Sequence, residues 1–232
     1  MSLTMNYCCH LCQKTLAVTA LVSALLSALM ISSVKAGMSI EQLKVKDGSL
    51  SKCITTLAKK HHWQTIDTIK KLQCHGMHIK SLEGLETLTS LEYLSLYNNE
   101  IKTTDLTTLN NLHYLNIANN KLQSIKLNGL SQLKTLYLFK NKLKEINFSG
   151  LKQLTKIRIT NNKLTQLDIS PLVSLEKAYF FDNKLEDLIV AGLPKLKFIE
   201  LRQNPMPDEV YDRYDALEGI TIIHDGNADD WK

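Results

Sequence analysis

The feature that most constrains this chain is an internal repeat with a period of 21 residues. A leucine opens each of six copies, and an asparagine follows eight positions later in every one. The copies begin at Leu91, Leu112, Leu133, Leu154, Leu175 and Leu196, and their asparagines are Asn99, Asn120, Asn141, Asn162, Asn183 and Asn204. A fixed period of this length predicts a stacked repeat architecture, in which each unit buries its apolar side against its neighbours.

Within a copy, the apolar residues follow the spacing Leu-x-x-Leu-x-Leu-x-x-Asn-x-Leu. Alternating apolar residues, such as Leu94 and Leu96, place one face of a short strand in a core. A spacing of three then follows, as in Leu127 and Leu130, and a tight 3₁₀ or turn-rich return would bury these residues as well. Each coil is therefore predicted to leave as a strand and return compactly, with successive strands paired in parallel.

The recurring asparagine is predicted to stabilise the corner where each strand ends. Its amide carries two donors and an acceptor, so it can satisfy backbone groups that the bend leaves unpaired. We therefore expect the six asparagines to form a structural ladder rather than a set of ligand contacts.

This motif resembles the leucine-rich repeat family, and the short repeat is most similar to the exported bacterial, internalin-like type. The resemblance implies a leucine-rich repeat solenoid of the α/β repeat class. Its parallel strands would lie on the concave face, its 3₁₀ or turn-rich returns on the convex face, and a helical cap with a disulfide at its N-terminal end. The resemblance also implies a binding module that needs no cofactor.

The first segment has the features of a signal peptide. In residues 1–36, Lys14 precedes an uncharged, mostly apolar run from Thr15 to Val34, and Val34-Lys35-Ala36 offers a cleavage site after Ala36. We therefore expect an exported protein, which would be periplasmic, attached to the cell surface or secreted. The alternative is an uncleaved anchor helix, because the run is close to the ~20 residues that span a bilayer. Only that alternative would place the chain in a membrane.

The rest of the chain divides into three segments. Residues 37–68 are predicted to form the N-terminal helical cap, residues 69–206 the leucine-rich repeats, and residues 207–232 the C-terminal cap and tail. Pro205 and Pro207 end the repeats, since proline cannot donate to a further ladder. Beyond them we expect a helix over 208–217, with Val210, Tyr211 and Tyr214 on its buried side, a last strand over 219–223, and a polar tail that contains Trp231.

Two cysteines follow the predicted leader, and an even count in an exported chain predicts one disulfide. Cys74 takes a core-facing strand position in an atypical first coil, and Cys53 lies in an amphipathic stretch over 50–60. If the stretch over 50–60 forms a helix, a Cys53–Cys74 disulfide would join it to that strand, and the helix would cover the open end of the stack. The alternative is a metal site, since zinc-capable ligands occur at Cys53, His61, His62, Cys74, His75 and His78. Export favours oxidation over thiolate ligation.

Position within the copy predicts exposure. The third, fifth and seventh residues alternate with the buried leucines, so they should emerge on the outer, concave face of the sheet. Eight of these eighteen residues are aromatic, although aromatic residues make up only 6% of the chain. Aromatic side chains dominate protein-binding hot spots, whereas the competing explanation is β-propensity with rings packed on one another. The predicted partner-binding residues are Tyr93, Tyr97, Tyr114, Tyr137, Phe139, Lys156, Arg158, Lys177, Tyr179, Phe181, Phe198 and Arg202.

The centre of this surface is predicted to combine rings with cations. Two aromatic pairs flank Lys156 and Arg158, which suggests a partner that presents apolar groups and some negative charge. Tyr137 and Phe139 form one pair, and Tyr179 and Phe181 form the other. A carbohydrate or an envelope glycan on the same face is the alternative partner, because sugars also stack on rings. Its hydroxyls would need polar side chains beside the rings, and the candidates are Asn116, Arg158 and Glu200.

A basic stripe is predicted along one edge of the stack, at Lys121, Lys142, Lys163 and Lys184. Duplication of the corner explains the stripe without a function, and steering towards an anionic partner is the functional alternative.

The formal net charge of +5 includes Lys14 and Lys35 of the predicted leader, and it is too mild to imply nucleic acid. The sequence contains no phosphate-binding glycine loop, nucleophile elbow or zinc-binding histidine helix. We therefore expect no enzymatic activity, no nucleic-acid partner and a monomer.

Overall fold

A computed structural model describes residues 37–226 of the chain. The predicted signal peptide and Trp231 lie outside the described residues. The main elements are two helices and ten short strands: α1 (Gly48–His61), β1 (Lys71–Gln73), β2 (Tyr93–Ser95), β3 (Thr103–Asp105), β4 (Tyr114–Asn116), β5 (Ser124–Lys126), β6 (Thr135–Tyr137), β7 (Lys156–Arg158), β8 (Lys177–Tyr179), β9 (Phe198–Glu200), α2 (Asp208–Asp215) and β10 (Thr221–Ile223). Short 3₁₀ turns occur at Ile40–Gln42, Ile66–Thr68 and Leu85–Thr87.

Eight strands form one parallel sheet in the order β1-β2-β4-β6-β7-β8-β9-β10. Equivalent residues of successive copies lie directly opposite one another, as Leu94 does with Leu115 and Leu115 with Leu136. The predicted leucine-rich repeat solenoid is thereby confirmed. Its core is a column of buried leucines, widened in places by Phe148 and Phe180, which are at most 1% exposed.

A second parallel sheet, which the sequence did not predict, joins the returns of the first two copies. In it β3 pairs with β5, and Thr103 lies opposite Ser124. Lys126 Nζ lies 3.1 Å from Asp105 Oδ2 across this pair. The next copies carry Asn147 and Asp168 at the same position and so lack the complementary charges. Opposite charges on neighbouring strands favour pairing, which is consistent with its restriction to these two returns.

The asparagine ladder is present as predicted. Asn120 Oδ1 accepts a hydrogen bond from the Ile101 N–H of the preceding coil at 3.0 Å. Its amide nitrogen donates to Leu96 O at 2.9 Å and to Ile117 O at 3.2 Å. Asn99, Asn141, Asn162, Asn183 and Asn204 make equivalent bonds. Each amide therefore satisfies buried backbone groups of two coils and holds them in register.

The residue before each ladder asparagine adopts a left-handed backbone conformation. Its φ is between 55° and 59° at Asn98, Asn119, Lys140, Asn161, Asp182 and Gln203, and Gly76 takes the equivalent place in the first coil with φ of 64°. Asparagine and aspartate tolerate this conformation better than lysine or glutamine does. The corner is therefore strained at Lys140.

The N-terminal cap is held to the first coil by a disulfide and a carboxylate. Helix α1 is longer at both ends than predicted, and the Cys53–Cys74 bond joins it to the first coil with 6.0 Å between the Cα atoms. Asp47 accepts hydrogen bonds from Ser49 N at 2.9 Å and from Lys80 N at 2.8 Å. The oxidised pair removes both thiolates from the zinc alternative, and no group of metal-binding side chains occurs within residues 37–226.

The C-terminal cap is a helix followed by the last strand. Helix α2 ends two residues earlier than predicted, and Val210, Tyr211 and Tyr214 are buried as expected. Tyr214 Oη donates a hydrogen bond to Leu188 O at 2.8 Å, so the helix is tied to the fifth copy. Strand β10 lies within the predicted range. Across residues 37–226, no helix has the length and apolarity needed to cross a bilayer.

Candidate functional site

The twelve predicted binding residues occupy three columns on the outer face of the main sheet. Each column is named after the position, third, fifth or seventh, that its residues hold in the copy. Strand register aligns Tyr93 with Tyr114 in the third column and places Arg158 between Tyr137 and Tyr179 in the fifth. The third column holds Tyr93, Tyr114, Lys156, Lys177 and Phe198, the fifth holds Tyr137, Arg158 and Tyr179, and the seventh holds Tyr97, Phe139, Phe181 and Arg202. The parallel stacking therefore brings residues that are 21 positions apart side by side.

Most of the aromatic rings contact one another. Tyr93 and Tyr114 stack with 4.1 Å between ring centroids, and Tyr137 meets Tyr114 edge-on at 5.7 Å. Tyr97 and Phe139, two coils apart, lie 6.3 Å apart, and Tyr179 packs on Phe198 at 5.3 Å. The rings are half-buried, except that Tyr97 is 37% exposed. Packing of rings on one another is thus a real component of this face.

Stacking also affects the acidity of one phenol. Burial, together with the hydroxyl of Tyr93, raises the pKa of Tyr114 well above its usual range. Tyr114 is therefore a neutral hydrogen-bonding group at physiological pH.

Two cations at the centre of the face lie over rings. The Arg158 guanidinium is 4.8 Å from the centre of the Phe139 ring, and Lys156 Nζ is 5.6 Å from that of Tyr137. Within the described part of the chain, no carboxylate lies at ion-pair distance from either cation. Arg202 differs, because Glu200 holds it through two bonds of 2.7 and 3.0 Å. The centre of the face therefore carries the positive charges of Lys156 and Arg158, whereas the charge of Arg202 is balanced by Glu200.

Four positions expected on the surface are buried instead: Ser95, Ala118, Thr160 and Glu200. The expectation that every third, fifth and seventh residue emerges is wrong for these four. Ser95 Oγ lies 2.7 Å from His75 Nε2, and the carboxylate of Glu200 is occupied by Arg202. The exposure of an outward position therefore depends on which residues the stacking places alongside it.

Two features escaped the sequence reasoning. Lys144 lines a groove with Lys142 and Lys163 and so widens the predicted basic stripe, and Lys140 is exposed two residues before Lys142. A cleft of about 750 Å³ lies between the returns of the fourth and fifth copies, beside Ile189, which is 71% exposed. The register offered a signal for the exposed isoleucine, because Ile189 takes the position that Asp105, Lys126, Asn147 and Asp168 hold in the other copies.

Comparisons with known proteins agree with this architecture. The Leucine Rich Repeat family matches residues 90–112 and 111–133. The structure of an internalin C2 from Listeria monocytogenes has 24% identity and a TM-score of 0.52, and the match covers 81% of this chain and 96% of that one. An internalin, InlF, from the same organism has 23% identity and a TM-score of 0.53, with 83% of this chain and 67% of that one covered.

A third structure is the functional domain of InlJ from Listeria monocytogenes, which includes a cysteine ladder. It has 22% identity and a TM-score of 0.45, with 75% of this chain covered, and the match spans about half of that domain, 54%. A comparison with curated proteins gives no match. The family match shows leucine-rich repeats over residues 90–133, and the chain shares the solenoid fold of these internalin structures.

Proposed function

We propose that this protein is an exported binding module that recognises a protein partner through the outer face of its main sheet. The position of Arg158 is the observation that carries the proposal. Its guanidinium rests on Phe139, stands between Tyr137 and Tyr179, and has no carboxylate partner in the described part of the chain. Arginine and tyrosine are among the residues that contribute most to protein–protein affinity.

The contacts among the rings support this proposal. Rings that already pack on one another lose little conformational freedom when a partner covers their remaining faces, so less of the binding energy is spent on ordering them. The stacked pair of Tyr93 and Tyr114 and the edge contact to Tyr137 form such a preordered surface. Self-packing accounts for the half-burial of these rings. It does not account for the cations Lys156, Arg158 and Lys177 among them, which form no ion pair within residues 37–226.

The chemistry of the partner follows from this arrangement. An acidic group would pair with Arg158 once water is excluded, and apolar groups would contact the exposed ring faces. The proposed export rests on the leader predicted over residues 1–36 and on the fold shared with internalins.

Two observations favour a protein over a glycan on this face. Of the three polar side chains that could bracket a sugar, Glu200 is buried and bound to Arg202. Asn116 Oδ1 already accepts a hydrogen bond from Ala118 N at 3.0 Å. Of these three side chains, only Arg158 has no hydrogen bond or ion pair within residues 37–226, and one cation is a poor match for the many hydroxyls of a neutral sugar.

The test compares two charge reversals of equal size. Arg158→Glu alters the exposed centre of the face, whereas Lys152→Glu alters an exposed residue of a return. A partner would be captured by crosslinking from envelope and host extracts, identified by mass spectrometry and titrated against each variant. We expect Arg158→Glu to weaken binding about thirtyfold, as loss of a hot spot does, and Lys152→Glu to leave binding unchanged.

Two outcomes would contradict the proposal. One is a captured protein whose affinity for Arg158→Glu equals that for the unaltered chain. The other is a glycan array on which the chain binds neutral sugars and loses them on Arg158→Glu, with no protein captured.

A further inference from the structure

The basic stripe is a regular column of lysines fixed by the backbone. Lys121 N donates to Ile101 O at 3.0 Å, and equivalent bonds of 2.8, 2.8 and 2.9 Å hold Lys142, Lys163 and Lys184 to the preceding coil. Neighbouring coils are about 4.8 Å apart, so the four lysines follow one another over ~14 Å of the edge. With Lys140 and Lys144 they form a surface that we name the lysine edge.

Duplication of the corner does not explain the whole lysine edge. Lys140 takes a position that holds asparagine or aspartate in the neighbouring coils, and Lys144 takes one that holds glutamine or threonine there. The charge is therefore concentrated around the third copy. In the described part of the chain, Lys121 alone of these six lysines forms an ion pair, with Glu100 at 2.8 Å. Uncompensated like charges repel one another and oppose folding, so their clustering indicates an anionic ligand.

A groove in the lysine edge limits the kind of ligand. It has a volume of about 330 Å³ and is lined by Gln123, Lys142, Lys144 and Lys163, all of them polar. An extended peptide would present its acids on one side every ~6.6 Å, out of step with the coils. A chain of acidic sugars carries one charge per ring and hydroxyl groups between the charges.

We propose that the lysine edge binds a linear acidic polysaccharide. Its carboxylate or sulfate groups meet the ammonium groups of successive coils, and its hydroxyls exchange hydrogen bonds with the amide of Gln123. Lysine ammonium groups are flexible point charges, which suits a hydrated polyanion with no fixed fork geometry. The lysine edge is separate from the outer face of the sheet, so this proposal does not depend on the protein partner.

The experiment measures binding of polygalacturonate to the full chain by calorimetry, with dextran as the neutral control. We expect binding that weakens as salt is raised, because exposed charges are screened. The variant K142Q/K144Q/K163Q should lose roughly tenfold in affinity, since three surface ion pairs each contribute a modest amount. The matched variant K52Q/K59Q/K60Q removes the same charge from exposed positions of α1, and it should change affinity by less than about twofold.

Several results would overturn the proposal. Equal losses in the two triple variants would show that net charge alone attracts the polymer. Absence of polygalacturonate binding, or equal affinity for poly-glutamate or for phosphatidylserine vesicles, would exclude a polysaccharide site. Retention of polygalacturonate binding by Arg158→Glu is required, because that variant alters a different face.

Discussion

The ring of Tyr93 lies parallel to the ring of Tyr114, with 4.1 Å between centroids and 1° between planes. The two residues occupy the same place in successive copies, and strand register sets them directly opposite one another. Cross-strand pairs of this kind are the units that stabilise a sheet. On this face the same contact also holds the two rings in a fixed orientation.

This stack should be measurable as a coupling energy. In a double-mutant cycle with Tyr93→Ala and Tyr114→Ala, we expect the two losses in the free energy of unfolding to be coupled by about 1 kcal/mol. Urea unfolding of the single and double variants gives the value. Tyr93→Ala and Phe198→Ala, which alter distant coils, should add within about 0.5 kcal/mol. Additive losses for the first pair would show that the stacking contributes nothing.

Removal of a central ladder amide should be costly. Asn141 accepts a hydrogen bond from Leu122 N at 2.9 Å and donates to Ile117 O and Leu138 O, each at 3.0 Å. Asn141→Ala leaves these buried groups unpaired, so we expect a loss of about 3 kcal/mol in the free energy of unfolding. Asn128→Ala, on an exposed return, should change it by less than about 0.5 kcal/mol. A small effect of Asn141→Ala would mean that water replaces the amide.

The strained corner at Lys140 predicts a stabilising substitution. Its φ of 55° is left-handed, and the first coil has Gly76 at the equivalent place. Lys140→Gly should raise the free energy of unfolding by about 0.5–1 kcal/mol, since glycine adopts this conformation without a steric penalty. Lys142 lies outside the left-handed region, and Lys142→Gly should lower stability by a similar amount. Thermal unfolding of both variants tests the opposite signs.

A buried hydroxyl predicts a second stabilising substitution. Thr160 is 3% exposed, and within the described residues its Oγ1 has no hydrogen-bond partner. Thr160→Val keeps the shape of the side chain and removes the unpaired group, so we expect a gain of about 1 kcal/mol in stability. Thr155→Val should give no such gain, because Thr155 Oγ1 donates to Lys134 O at 3.1 Å. A loss of stability in Thr160→Val would reveal a partner for the hydroxyl.

Alkaline pH should loosen the C-terminal cap through Tyr214. Burial, and then the charge of Asp187, raises the pKa of its phenol from 10 to about 12. The folded state holds this proton more tightly than the unfolded chain does. Its contribution is therefore complete below pH 10 and is lost as pH rises through about 12.

The corresponding variant is Tyr214→Phe, with Tyr97→Phe on the exposed edge as its control. Tyr214→Phe should cost about 1 kcal/mol at neutral pH, through the bond to Leu188 O. It should also make the fall in stability above pH 10 shallower, whereas Tyr97→Phe should not. Urea unfolding between pH 8 and pH 11 checks both effects. An unchanged alkaline slope in Tyr214→Phe would contradict this assignment.

Sequence reasoning was sufficient for features that depend on the repeat alone. The period places Leu94, Leu115 and their equivalents in one core column, and it stacks the asparagines at the corner. The Cys53–Cys74 bond also followed, because the register put Cys74 in the core beside a capping helix. These features follow from one local rule, since each residue's direction is set by its place in the coil.

The tertiary structure alone decided which outward residues are available. Ser95 and Glu200 have outward positions in the coil, yet both are buried, because His75 and Arg202 bond to them. The pairing of β3 with β5 likewise brings opposite charges from two coils together. Such outcomes depend on the particular residues that the 21-residue stacking brings into contact, so no single copy contains the information. The interior of this protein was therefore readable from its sequence, whereas the accessible part of its surface was decided by contacts between coils.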